Sequence, residues 1–203
     1  MKNKHGHTVP LKQRAQTIAD YLQDDHWTNN MDNIPPPDND NILPNLQIDE
    51  SILKIEELNN AFKSLKINKQ PGTDRLITEL MKWLNPINRT RLLDCLNDWY
   101  INENLPENIA LARVVPIFKK GDTDNAANYR PISLLKSIYK IYTIIIRQRL
   151  QEKLEAHINQ TQHGSRPAHS TAHALFAIRR IQDYAEQKGT ALNLVLLDWE
   201  KAF

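Results

Sequence analysis

A single cysteine, Cys95, in 203 residues excludes an internal disulfide and any multi-cysteine zinc site. No apolar stretch approaches the roughly 18–20 residues that a membrane span needs. The opening MKNKHGHTVP carries charge with no apolar core behind it, so it lacks the form of a secretory signal. No internal repeat is present. These absences point to an intracellular protein. What remains is ordinary for a soluble globular chain, with 40% apolar and 25% charged residues. The length allows one large domain or two small ones.

The formal net charge of +2 hides an asymmetry. Residues 1–110 hold 12 Lys and Arg against 16 Asp and Glu, a balance of −4, whereas residues 111–203 hold 14 against 8, a balance of +6. A basic half behind an acidic lead-in suggests that residues 111–203 meet a polyanion.

Thr8, a candidate N-cap, and Pro10 precede Leu11, Ala15, Ile18, Ala19 and Leu22, which read as a short amphipathic helix. From Asn29 to Asn45 the composition shifts to Asn, Asp and Pro, the mark of a partly extended linker. Ile55, Leu58, Ala61, Phe62 and Leu65 recur at helical spacing. A Pro71-Gly72 turn breaks that helix, Leu76 to Leu84 forms another, and Pro86 opens a third that runs to about Glu103. Cys95, among its apolar residues, is expected to be a plain buried thiol. Leu111 to Lys120 reads as a strand that Pro116 restricts to an edge or a bulge. The longest helical pattern runs from about Leu135 to His157 and carries Ile138, Ile141, Tyr142, Ile145 and Arg149 on one spacing. Ser170-Thr171 caps a last helix that Gly189 ends.

Leu192 to Leu197, broken only by Asn193, reads as a strand buried on both faces and leads into Asp198. A carboxylate at the end of such a strand either caps the following turn or stands on a rigid mount for a metal ion. His169 and His173 lie four apart, as paired zinc ligands on one helical turn do. The glutamate of a metalloprotease helix is missing, since Ser170 follows His169, and surface histidines are the favoured reading. The loop from Gly121 to Asn125 is acidic but lacks the ligand spacing of an EF-hand.

Four segments in order resemble a known family. Lys66 to Asp74, KINKQPGTD, resembles the "LKxNKAPGxDxI" entry of non-LTR (LINE-type) retrotransposon reverse transcriptases. Val115 to Asp122, then Asn128 to Leu135, is similar to their "PIxKKGD…NYRPISLL" fingers segment. Gln162 to Pro167, with Ser170 and Thr171, resembles "QFGFRPGxST". Leu197 to Phe203, LDWEKAF, resembles "LDxxKAF", the first catalytic motif of the palm.

The resemblance implies an α+β chain: the incomplete fingers and palm of a right-hand polymerase behind a mostly helical lead-in. It divides as an N-terminal extension and linker at 1–47, helices at 48–110, fingers at 111–190 and a first palm strand at 191–203. It implies RNA-directed DNA synthesis from dNTPs, with an RNA template, a DNA primer and two Mg2+ ions in a complete enzyme. Asp198 would be a metal-holding catalytic carboxylate, with the main-chain carbonyl of Trp199 a weaker contact. Phe203 would be the steric gate that disfavours a ribose 2′-hydroxyl. Arg130 would grip the incoming triphosphate bidentately, with Lys119 or Lys120 supplying a point charge. Gln162, Gly164 and Arg166 would lie along the template. His163 and Ser165 replace two aromatics of the family pattern, and Ala168 replaces a glycine. The family's further aspartates do not occur in these residues, so the chain alone is expected not to polymerise. The alternative is a non-catalytic nucleic-acid-binding remnant of a degenerate retrotransposon.

Overall fold

The computed structural model describes residues 1–27 and 46–198, in two units, residues 1–152 and 153–203. The Asn, Asp and Pro-rich stretch expected as a linker, Asn29 to Asn45, lies outside the described residues.

The first unit opens with four helices. Helix α1 (Arg14–Tyr21) is entered through a 3-10 turn and left through a π turn, Leu22–His26. Pro10, not Thr8, stands at its entry. Helices α2 (Ile55–Ser64), α3 (Thr78–Lys82) and α4 (Pro86–Asn102) follow the apolar spacing of their sequences. Pro86 occupies the first helical position of α4, where its missing N–H costs nothing, and the Asn85 side chain accepts from the Asn88 N–H. Cys95 departs from expectation. It is exposed on α4, because the buried stripe of that helix runs through Leu96 and Trp99. Its residual burial, with the Asp98 carboxylate near, pushes the thiol above its ordinary value.

Strand β1 (Arg113–Phe118) pairs antiparallel with β2 (Tyr129–Leu134), a strand that sequence periodicity did not reveal. Two prolines, Pro116 and Pro131, face each other across this ladder. The Lys119 N–H bonds the Asn128 carbonyl at 2.8 Å. Counting in twos from there puts the prolines at a pair that needs no N–H donor. Both strands are edges, which is where proline is tolerated.

Helix α5 (Ser137–Leu154) carries Ile141 and Ile145 into the main core with Leu58, Phe62, Leu96 and Trp99. The Trp99 and Tyr142 rings meet edge to face at 5.8 Å. Arg149 lies on the same apolar spacing and is also buried. All five of its N–H donors find acceptors: both Glu57 carboxylate oxygens at 2.6 and 2.7 Å and the carbonyls of Asp49, Ser51 and Ile52. A second, smaller cluster joins Met1, Ile18 and Leu22 to Ala126, with Val114 and Tyr129 packed against it. The amino terminus also pairs with the Asp124 carboxylate. Residues 1–27 therefore rest on the β1–β2 hairpin and its connection.

The second unit holds α6 (Thr171–Lys188), with Ser170 at its N-cap and Gly189 closing it in the left-handed conformation at φ +62°. The strand expected over Leu192–Leu197 is not formed. Residues 191–198 carry no regular structure, and Leu196 and Leu197 are 80% and 84% exposed. A strand exists by pairing, and no partner ladder reaches this run among the described residues. Without a sheet, its apolar side chains have nothing to pack on.

Candidate nucleotide and template site

The KKGD…NYRP motif spans the β1–β2 connection and the start of β2. Gly121 adopts φ +93°, open to glycine without strain. The Asn128 amide lies where a Cβ on Gly121 would project, and it donates to the Asp122 carbonyl at 2.8 Å. The Tyr129 hydroxyl donates to the Thr123 carbonyl at 3.0 Å, and its ring meets Phe118 at 5.4 Å. Asn and Tyr of the motif thus close the loop, and Gly permits it. Arg130 pairs across the ladder with Ile117, two residues before Lys119. The hairpin therefore brings Lys119, Lys120 and Arg130 to one end. All three are exposed, and none has a side-chain hydrogen bond or ion pair among the described residues.

The upstream NKQPGTD motif docks on the entry of α5. A Cβ on Gly72 would sit 2.4 Å from the Leu135 carbonyl oxygen. Asp74 accepts from the Ser137 N–H at 2.9 Å and from the Leu76 N–H at 3.2 Å. The Ser137 hydroxyl donates to the Leu76 carbonyl at 2.6 Å. Gly72 and Asp74 cap and seat α5 directly behind β2. Their part in setting the hairpin was invisible to sequence spacing, because the contacts span more than sixty residues.

In the second unit the QHGSRP stretch folds back on itself. Gln162 donates its N–H to the Asn159 carbonyl at 2.9 Å. An added Cβ on Gly164 would meet nothing within 4 Å, so no packing inside the chain requires glycine there. Arg166 is mostly buried rather than free. Its Nε donates to Glu155 at 2.7 Å and its Nη1 to the Asn159 carbonyl at 3.2 Å. Ser165 and Ala168 take left-handed backbone at φ +58° and +57°. Ala168 is the position where the family pattern has glycine, and the positive φ supplies the reason. The fold-back brings His163, His169 and His173 together, with His163 Nδ1 3.1 Å from His169 Nδ1. Partial burial first, then the Arg166 guanidinium and the two other imidazoles, hold His169 below the ordinary histidine value. Asp198 is exposed at the end of the unpaired stretch. Trp199 and Phe203 lie outside the described residues.

The family described as "Reverse transcriptase (RNA-dependent DNA polymerase)" matches residues 117–203, from the hairpin through the DWEKAF segment. A 149 kDa protein of transposon TX1 from Xenopus laevis is 30% identical over 154 residues, 76% of this chain and 12% of its own length. The chain belongs to the reverse transcriptase family.

Two further relatives agree. A probable RNA-directed DNA polymerase from transposon BS of Drosophila melanogaster is 28% identical over 74% of the chain and 17% of its own length. A Pol polyprotein from the type-1 retrotransposable element R2 of Popillia japonica is 30% identical over 73% of the chain and 20% of its own length. The chain therefore spans a fifth or less of the length of these relatives, and the resemblance to non-LTR retrotransposon reverse transcriptases is borne out. The mixed helix-and-strand architecture is that of a partial reverse transcriptase domain. Reverse transcriptases act on nucleic acid and nucleotide substrates with divalent metal ions. Asp198, an oxygen donor, suits a hard cation. Among the described residues Asp198 belongs to no group of three metal-donor side chains.

Proposed function

We propose that residues 111–203 are the fingers and the start of the palm of a LINE-type reverse transcriptase, serving RNA-directed DNA synthesis inside the cell. The observation that carries this reading is the hairpin. Its motif residues are spent on closing the loop, which leaves Lys119, Lys120 and Arg130 unpaired at one end, inside the family match. A flexible ammonium and a planar guanidinium there suit the triphosphate of an incoming dNTP. Gln162, Gly164 and Arg166 track the template. Gly164 leaves room for a strand to approach, and Arg166, seated by Glu155, offers its remaining N–H donors to phosphate. Asp198 is one carboxylate of the magnesium site, helped by the Trp199 carbonyl, and Phe203 selects against ribose.

The test is binding to single-stranded RNA as a function of salt. Neutralising each phosphate contributes about 0.7 to the slope of log K against log salt for single strands. Lys119→Ala, Lys120→Ala and Arg130→Ala combined are expected to flatten the slope by about 2 and to weaken binding at low salt. Unchanged RNA affinity and slope would remove the hairpin from the strand, and an unchanged dNTP Kd in the same variant would remove it from the triphosphate site. A non-catalytic nucleic-acid-binding remnant is the second reading. Primer extension by a chain continued through further palm aspartates separates the two.

A further inference from the structure

We propose that His163, His169 and His173 form a binding site for a zinc-class divalent transition-metal ion within residues 162–173. The proposal stands apart from the polymerase reading and uses none of its residues. One ligating nitrogen from each imidazole lies within 4.8 Å of the other two. The ring centroids are 5.3, 5.7 and 6.2 Å apart. With metal–nitrogen bonds of about 2.0–2.1 Å, tetrahedral ligand nitrogens sit roughly 3.3 Å from one another. The His163–His169 pair, at 3.1 Å, already has that separation. The third nitrogen has to close by about 1.5 Å, within reach of a side-chain rotation. His173 is exposed, so solvent leaves its ring room to turn.

The chemistry of the pair favours a cation. Two neutral Nδ1 atoms at hydrogen-bond distance share one proton: one nitrogen donates and the other accepts. A dication between them takes a lone pair from each Nδ1, and the ring that had donated through Nδ1 carries its proton on Nε2 instead, staying neutral. Charging both imidazoles instead sets like charges against each other, beside the Arg166 guanidinium. Glu155 is near enough to favour charge at His169, and its Oε2 is buried with no hydrogen-bond partner, so its carboxylate partly offsets the ion. Arg166 opposes the ion, but it is already paired with that same Glu155. Two contacts stand to be lost when coordination is through His173 Nδ1, which accepts the Ser170 N–H at 3.1 Å and lies 3.4 Å from the Ser170 hydroxyl.

Three imidazoles and no carboxylate make a nitrogen donor set. That suits zinc, cobalt, nickel or copper and not magnesium or calcium, which require oxygen. A fourth position stays open to water. The left-handed residues Ser165 and Ala168 are what turn the loop so that His163 meets His169. An ion joining residue 163 to residue 173 would hold Gln162, Gly164 and Arg166 in one conformation.

The metal-free 203-residue chain is titrated with Zn2+ by calorimetry and with Co2+ by visible absorption. The expected result is one ion per chain with a tetrahedral cobalt spectrum, unaffected by excess Mg2+. His163→Ala, His169→Ala and His173→Ala each weaken binding by about tenfold or more. His157→Ala, which alters a histidine bonded to the Lys153 carbonyl outside the trio, leaves it intact. Far-UV circular dichroism checks helicity, and a variant that loses it is replaced by His→Gln at the same position. Binding only at millimolar zinc, binding indifferent to all three variants, or an equal loss in His157→Ala would overturn the assignment.

Discussion

Two residues show how backbone geometry sets what each motif position tolerates. Gly72 is glycine for space. An alanine methyl would stand 2.4 to 2.8 Å from the backbone of Leu135 and Lys136, which cannot yield as a side-chain tip would. Gly72→Ala is expected to cost about 1–3 kcal/mol, read as a lower urea midpoint at unchanged slope. Ala168 is the opposite case, a side chain where φ is +57°. Ala168→Gly removes a left-handed penalty of roughly 1–2 kcal/mol per residue, offset in part by greater freedom of the unfolded chain. A small rise in melting temperature is expected. A fall of several degrees would mean that the methyl group packs usefully.

At the scale of the element, α2 and α5 are joined by Glu57 and Arg149. The Arg149 hydrogen bonds first, with the Lys54 N–H after them, hold the Glu57 carboxyl below its ordinary value against an opposing effect of partial burial. A depressed folded value means that the pair's contribution is present above the unfolded value and lost as pH falls through the folded one. Stability should therefore decline on the acid side, below pH ~4.3, the ordinary glutamate value. Thermal melts of Glu57→Gln should show a shallower acid decline. Arg149→Met leaves Glu57 and three carbonyls without their partner and is expected to cost about 3 kcal/mol at neutral pH. Equal acid sensitivity in wild type and Glu57→Gln would assign the decline to other groups. Helix α6 shows a different balance. Leu175, Phe176, Ile181 and Tyr184 are exposed, and Ala185 is its buried residue. Its capping by Ser170 and Gly189, not a core, defines its ends.

The whole molecule divides its charge as it divides its roles. The acidic lead-in supplies most of the main core, and the basic half supplies the hairpin and the family match. No helix among the described residues is long and apolar enough to cross a membrane. With a single carboxylate at the expected metal position, the 203-residue chain should show no primer extension with magnesium or manganese. Extension above a no-enzyme control would show that these residues hold more of the catalytic centre than Asp198.

Helices with periodic faces and clear ends were legible in the residues. Pro86 opens α4, Ser170 and Gly189 bound α6, and Ile55 to Leu65 show their buried stripe, because 3.6-residue spacing and capping are local properties. The order of four motifs was enough to name the family. Pairing and long-range docking were decided only by tertiary structure. Strand β2 was hidden in NYRPISLL because a strand depends on its partner as much as on its own residues. The run from Leu192 to Leu197 has strand composition yet forms none, because no ladder meets it. Arg149 sat on an apolar stripe as an apparent exception until five acceptors surrounded it. His169 and His173 had the spacing of paired zinc ligands, but nothing local brought His163 to them. Two left-handed residues turned the loop between them and made the three a cluster.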